Sequence, residues 1–380
     1  MQIVEVVADA NVLDAGGQET YALHAGCRYV VYDSEAGYGL RDGALKLIAS
    51  LDRTLPIYHG EPLKKHRLIL PFIGRRGDTV ALASCLAALK ERYPQVTIDI
   101  AAPDAPREVL RLMPRLGKQL SYPPLAEQIE HYDYYLSFEE VEAVPYGWRR
   151  SSADLFSVIL HTPRPGSPPH VTIPREVRER WRFPVTNRAR ICVHVGRSDS
   201  LRSYPRDLLD QLVQYLIDAR FEVYLIGAGD ATRHAEAHGA ESAHDLCGQT
   251  ATAADLAAVL VQMDAVMTGD SFPMHLAGTM GIPTLALFTA TDAVIGSDYP
   301  AVVSIQSRAD CSPCRVADGV CPLGHGQCIA HRERSFSPQS IVQRLDMLVS
   351  VSGAVQANTA DHSGRLCSLG SLTVEEPLPN

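Results

Sequence analysis

An α/β fold carrying a parallel, doubly wound sheet is what this chain predicts, and three observations predict it. Arg190 to Val195, Glu222 to Ile226 and Thr284 to Phe288 are short apolar runs of the kind buried in a parallel sheet, and helix-length segments alternate with them. A second strand–helix–strand unit runs from Leu68 to Ile100, so the pattern occurs in both halves of the chain. Hydrophobic content of 46% and charged content of 21% are globular values, and 380 residues are enough for two cores.

Residues 1–66 break that alternation. Ile3 to Val7 and Arg28 to Asp33 read as strands, glycines at 16, 17, 26, 37, 39 and 43 punctuate them, and Ala44 to Leu51 reads as a short helix. The expectation is a small β-rich appendage. Residues 67–175 form the first α/β domain. Leu68 to Ile73 is a strand, Gly74 to Asp78 a turn and Thr79 to Tyr93 an amphipathic helix; Pro94 stops it before the strand Val96 to Ile100. Tyr132 to Phe138 is a further strand candidate, and the proline-rich run 161–174 suits a linker or an acceptor-side loop.

Residues 185–347 form the second α/β domain. Its strand Arg190 to Val195 leads into a polar loop, a helix from Pro205 to Arg220, and a strand ending at Gly227-Ala228-Gly229-Asp230. A helix from Thr252 to Met263 follows. The stretch Asp264 to Asp292 is the most sharply punctuated in the chain: the strand Ala265-Val266-Met267, the turn Thr268 to Ser271, Pro273 in the first turn of a helix, Gly281 as its C-cap, and the strand after Pro283. A helix start offers unpaired N–H groups and a partial positive charge, so this turn can hold a phosphate. It serves equally well as an ordinary connection capped by Asp270 or Ser271. Residues 352–380 are Gly/Ser-rich and patternless, and a disordered tail is expected there.

The net charge of -9 and the pI near 5.9 argue against nucleic acid as the main partner. The N-terminus is acidic where a signal peptide would be basic, and no run approaches a membrane span, so a soluble cytoplasmic protein is expected. The nine cysteines of such a chain are read as thiols or metal ligands, not as a disulfide frame. Cys311-Ser312-Pro313-Cys314, Cys321 and Cys328 fall within one stretch, 311–328, and can supply tetrahedral thiolate ligation of zinc or iron, with His325 as a spare ligand; packed or surface thiols are the other reading. Cys85, Cys192 and Cys247 sit in apolar helix or strand contexts, away from that set.

Two motifs carry a resemblance. Asp270-Ser271-x-Pro273-Met274-His275-Leu276-Ala277, then Gly281-x-Pro283 and Leu287-Phe288-x-x-Thr291-Asp292, resembles the nucleotide-sugar motif of glycosyltransferase family nine, the heptosyltransferase type. Gly77-Asp78-Thr79, an Ala/Leu-rich helix and Leu89-Lys90-Glu91-Arg92-Tyr93-Pro94 resemble that family's N-terminal motif. The likeness covers roughly Arg67 to Met347. It implies the GT-B architecture, two doubly wound Rossmann-like domains facing a cleft, here with the β-rich appendage added. It also implies an inverting transfer of a sugar from a nucleotide-sugar donor, ADP-heptose in type, to an acceptor hydroxyl on a glycan, a lipid-linked sugar or a protein. A homo-oligomer is a further expectation.

The resemblance assigns roles residue by residue. Asp78 matches the general base, while on pattern alone it suits an N-cap of the following helix. Arg75 and Arg76 either steady an acidic acceptor or are solvated surface. Arg202 matches the cation that precedes an aromatic–Pro pair, here Tyr204-Pro205; Arg stands where the family commonly has Lys. With Arg197 it can stabilise the charge building on a departing diphosphate. Gly227 allows close approach of a nucleotide and Asp230 can hold ribose hydroxyls. Asp270, Ser271, His275 and Thr291 complete the donor set, with a helix-surface histidine as the plainer reading of His275. No DxD motif lies near these residues, so no catalytic metal is expected. Two other functions fit parts of the pattern. A nucleotide-sugar epimerase of GT-B type would keep activity without any acceptor, and a non-catalytic scaffold assembled through residues 1–66 and the cysteines would bind no nucleotide diphosphate.

Overall fold

The computed structural model describes residues 1–13, 19–113, 117–138, 151–165, 168–196, 201–227, 243–296, 299–314, 321, 323 and 336–360. They fall into two compact units, Met1–Thr172 and Ile173–Asn380.

The first unit holds three sheets, of three, two and four strands. In the N-terminal layer β1 (Gln2–Val6) lies between β4 (Arg28–Val31) and β5 (Leu45–Ser50), antiparallel to both, and β2 (Ala10–Leu13) pairs with β3 (Glu19–Leu23). The helix expected over Ala44 to Leu51 is therefore the strand β5. Ile3, Val4 and Val6 are buried, so β1 is a central strand that takes a partner on each side; Leu47 faces Val4 and Lys46 faces Glu5 across that pairing, which overrides local preference. The helix of this region comes earlier, as α1 (Asp33–Arg41). Its acidic first turn and basic last turn suit the helix dipole.

The parallel sheet of the first unit has the order β8-β7-β6-β9, with β6 (Arg67–Pro71), β7 (Thr97–Ala102), β8 (Gln119–Ser121) and β9 (Tyr134–Tyr135). The helices α2 (Arg76–Arg92), α3 (Asp104–Leu110), α4 (Ala126–Ile129) and α5 (Ser152–Ile159) accompany it. The N-terminal layer is joined to this sheet. Val4, Val30 and Leu51 share one apolar cluster with Ile69, Tyr122 and Tyr135, and the Tyr32 hydroxyl donates to the Pro71 carbonyl at 2.6 Å. Glu35, on α1, accepts from the hydroxyls of both Tyr21 and Tyr122.

The second unit is a six-stranded, all-parallel sheet of order β12-β11-β10-β13-β14-β15. Its strands are β10 (Arg190–His194), β11 (Glu222–Ile226), β12 (Ala243–Asp245), β13 (Ala265–Gly269), β14 (Thr284–Phe288) and β15 (Val302–Gln306). Its helices are α6 (Arg175–Arg180), α7 (Arg206–Asp218), α8 (Ala253–Leu260), α9 (Phe272–Thr279), α10 (Ala293–Gly296) and α11 (Pro338–Ala360). Ile191, Val193, Leu212, Leu216, Met267, Leu285, Ile341 and Leu345 are buried in one core. The chain steps outward from β10 to β12 and then returns to lay β13 on the other side of β10. That reversal is a topological switch point, and ligands of such sheets bind beyond the strands' carboxyl ends there. At the far end α11 runs to Ala360, so residues 352–360 continue a helix where a patternless tail was expected; 361–380 lie outside the described residues. Among the described residues no helix is long and apolar enough to cross a membrane.

Candidate functional site

The loops after β10, β13 and β14 meet at the switch point of the second unit. Gly269 ends β13, and a Cβ placed on it would stand 2.0 Å from the carbonyl oxygen of Arg202. Only glycine lets the loop carrying Arg202 lie on the end of that strand. The Thr289 hydroxyl, just past β14, donates to the Leu201 carbonyl and fastens the same loop from the other side.

Asp270 ties these loops together. It is nearly buried, and its carboxylate accepts a 2.6 Å hydrogen bond from Thr291 Oγ1. Arg202 Nη1 lies 3.6 Å from the same oxygen, Oδ2, and donates to the Asp270 carbonyl at 3.3 Å. His275, on α9, brings Nε2 to 4.0 Å from Oδ1, while its Nδ1 is 3.0 Å from the Tyr299 hydroxyl. A buried carboxylate needs such partners, and these come from two separate loops and a helix. The side chain of Arg202 is 36% exposed, so a partly solvated cation stands beside the start of α9.

Ser271 occupies the N-cap position of α9, but its side chain makes no capping bond. Its Oγ lies 3.2 Å from His194 Nδ1 and 3.0 Å from Thr268 Oγ1. His194 is the last residue of β10, and desolvation pushes its pKa down to about 4, so the imidazole is neutral near pH 7. Sequence reasoning passed over this histidine: a single His closing an apolar strand carries no distinctive spacing.

The cysteine stretch backs onto these loops. Cys311, Cys314 and Cys321 pack with Leu201, Ala290 and Ala309, and Ser312 Oγ donates to the Thr289 carbonyl at 2.7 Å. Cys311 and Cys314 are free thiols. Among the described residues no three His, Cys, Asp or Glu side chains are gathered closely enough to hold a metal. Cys328 and His325 lie outside the described residues, as do Arg197 and Asp230. Gly227 stands just beyond β11, its carbonyl accepting the Gly248 N–H at 2.9 Å. Cys85, Cys192 and Cys247 are buried, and burial raises the first two thiols' pKa.

Asp78 belongs to the first unit. The helix expected from Thr79 begins at Arg76, with Arg75 as its N-cap, so Asp78 is the third helical residue and not the cap. Its Oδ2 accepts the Arg75 N–H at 3.1 Å, the return half of a capping arrangement, and its Oδ1 accepts from Ser152 Oγ at 3.2 Å. Ser152 opens α5 and is 74 residues away, so no local signal announces the contact. Of the two neighbouring arginines, Arg76 pairs with Glu108 at 2.9 Å.

The model of glycosyltransferase family 9 (heptosyltransferase) matches residues 150–322. Among solved structures the chain is similar to a glycosyl transferase family 9 protein from Veillonella parvula, at 13% identity and a TM-score of 0.63 over 77% of this chain and 100% of that one. It is similar to ADP-heptose lps heptosyltransferase II from E. coli, at 18% identity and a TM-score of 0.56 over 76% of this chain and 99% of that one. The bacterial iron-containing dodecameric glycosyltransferase TibC from enterotoxigenic E. coli aligns over 93% of this chain and 92% of its own, at 12% identity and a TM-score of 0.53. No curated protein matches. The fold is therefore the GT-B architecture of the heptosyltransferases, with an antiparallel N-terminal region beside its parallel sheets.

Proposed function

We propose that this chain, a glycosyltransferase of the family 9 kind, is an inverting enzyme that moves heptose from an ADP-heptose-type donor to a hydroxyl of a glycan, a lipopolysaccharide or a protein. The observation that carries the reading is the convergence on Asp270 of Arg202, Thr291 and His275 at the start of α9. A partly exposed cation beside a helix start is suited to a diphosphate. The names of the similar structures support the choice of donor, and a further TibC structure is a complex with ADP-D-beta-D-heptose.

In this reading Arg202 and the N–H groups at Ser271 hold the diphosphate, with Arg197 beside them. His275 and Asp270 order the donor, Thr291 orders Asp270, and the Gly227 turn with Asp230 takes the nucleoside. Asp78 accepts the proton of the acceptor hydroxyl as its oxygen attacks the anomeric carbon. The carbon–oxygen bond to the diphosphate breaks, and its electron pair leaves on ADP. Arg202 and the helix start stabilise that charge, a role which other transferases give to a divalent ion, so the chemistry runs without one.

A ligand that binds the native state alone must stabilise it, by about 2.7 kcal/mol at a hundredfold excess over Kd. ADP and ADP-sugars should therefore raise the melting temperature by several degrees, with other nucleotide diphosphates as the comparison. If no nucleotide diphosphate or nucleotide sugar moves the transition, the transferase reading fails.

The cysteine stretch is the second element of the proposal. Thiolates suit zinc or iron, and three of the four cysteines share one patch behind the Arg202 and Thr291 loops. Cys311, Cys314, Cys321 and Cys328 would hold one structural ion, and assembly into a homo-oligomer goes with this reading. TibC is named as iron-containing and dodecameric. Protein purified without chelators should carry about one zinc or iron per chain. Elemental analysis finding neither metal would return the four cysteines to packing.

A further inference from the structure

Serine is among the preferred N-cap residues because its hydroxyl can take an N–H of the helix's first turn. Ser271 has the extended backbone of a cap, with φ −157° and ψ 171°, yet its hydroxyl is turned the other way. It sits among His194 Nδ1 at 3.2 Å, Thr268 Oγ1 at 3.0 Å and the Gly269 carbonyl at 3.4 Å. Thr268 is wholly buried, and its own hydroxyl has two acceptors in reach, the Gly269 carbonyl at 3.0 Å and, farther off, His194 Nδ1 at 3.2 Å. The protons of this group can be counted. Two hydroxyls bring two hydrogens. If Thr268 donates to the Gly269 carbonyl, the Ser271 hydrogen is left for His194 Nδ1, which must then carry a lone pair. A neutral imidazole with its proton on Nε2 meets that need, and desolvation keeps the ring neutral.

At the tip of α9, Pro273 has no N–H, and the N–H groups of Met274 and His275 turn back to the Ser271 carbonyl at 3.0 and 3.4 Å. A Ser271 hydroxyl swung into the capping position would reach for Met274 N–H and lie over the helix start, where an anion would sit. We infer that His194 is a positioning residue of the donor site: by accepting the Ser271 hydroxyl it holds that group off the start of α9, leaving the tip open to a diphosphate. The inference rests on the donor reading above, and it separates the backbone of Ser271, which faces the ligand, from its side chain, which does not.

The test is ADP titration by calorimetry, with melting temperatures, on the full chain and four variants. His194→Leu removes the acceptor and releases the hydroxyl, and ADP affinity should fall about tenfold. Ser271→Ala has no hydroxyl to release and should bind within about twofold of the parent. The double variant His194→Leu/Ser271→Ala should recover most of the loss, because nothing remains to swing over the helix. His194→Asn, whose amide oxygen can accept the hydroxyl, should stay within about threefold. A merely structural role for His194 would leave the double variant as weak as the single one, and that result overturns the inference. So does unchanged affinity in His194→Leu, or a tenfold loss in Ser271→Ala, which would put the hydroxyl on the ligand. Should His194→Leu fail to fold, His194→Ala and the double variant His194→Ala/Ser271→Ala take its place by the same limits. A parent protein that binds no ADP brings down the donor reading itself, whereas a parent that binds alongside indifferent variants brings down only His194.

Discussion

Asp78→Asn should fold, melt within a few degrees of the parent and still bind ADP, while its transfer rate falls about 10²–10⁴-fold, the usual worth of a positioned general base. The geometry makes this substitution a clean one. Asp78 has a structural duty at the start of α2, where Oδ2 accepts the Arg75 N–H at 3.1 Å, and it also receives the Ser152 hydroxyl at 3.2 Å on Oδ1. An asparagine carbonyl can keep one of these bonds, and loss of the negative charge from the first helical turn costs only about 0.3–1 kcal/mol. It cannot take a proton from an acceptor hydroxyl. The two duties of Asp78 therefore come apart in this variant. Asp78→Ala loses both, and about 1 kcal/mol of stability should go with the helix-start bond. Initial rates and melting temperatures for the two variants decide between the roles. Near-normal transfer by Asp78→Asn would remove this residue from the chemistry and leave it a helix-start group, and Asp270 would be the next carboxylate to test.

What was legible in the chain was whatever is marked locally. The strand–helix–strand unit around α9 could be read because Pro273 fits the first helical turn and Gly281, at φ +71°, takes the left-handed conformation that ends the helix. The parallel sheets could be read because Leu68–Leu70, Ile191–Val193 and Leu285–Phe288 are continuous apolar runs, all of them buried. The β5 strand was not legible, since its conformation is imposed by β1, forty residues away in the chain, and not by its own residues. The start of α2 was misplaced for a related reason. Gly77 reads as a turn, but the helix absorbs it, which moves Asp78 from the cap into the first turn.

The candidate site was legible as residue types and illegible as an arrangement. Asp270, His275 and Thr291 were marked by motif, yet nothing local says that Thr291, 21 residues on, donates to Asp270. Nothing local says that Arg202 reaches the same carboxylate from 68 residues before it. His194 was missed because its role exists only through Thr268 and Ser271, which lie 74 and 77 residues on. The packing of Cys311, Cys314 and Cys321 against Leu201 and Ala290 is likewise a tertiary fact, and it joins two stretches that the sequence presented as unrelated.

Arg202→Ala should weaken ADP binding by about 1.5–3 kcal/mol, the range for a hydrogen bond to a charged group, which is roughly a 10–150-fold rise in Kd. The side chain faces Asp270 and is partly open to solvent. It lies 3.6 Å from the Asp270 carboxylate, and at 36% exposure it also presents a cation to solvent beside α9. Alanine removes both, so a fall in affinity could come from the ligand's side or from a disturbed Asp270. Arg202→Lys separates them. The ammonium restores a positive charge near Asp270, whose side chain is only 12% exposed, and Thr291 still donates to that carboxylate. The melting temperature of the Lys variant should return to within a few degrees of the parent. A lysine is a point charge without the planar fork that matches two phosphate oxygens, so affinity should return only in part. Recovery of stability with incomplete recovery of affinity identifies Arg202 as a direct ligand of the diphosphate. Full recovery of both would make its charge alone sufficient. Unchanged affinity in Arg202→Ala, measured by calorimetry on folded protein, would move the diphosphate away from the start of α9 altogether.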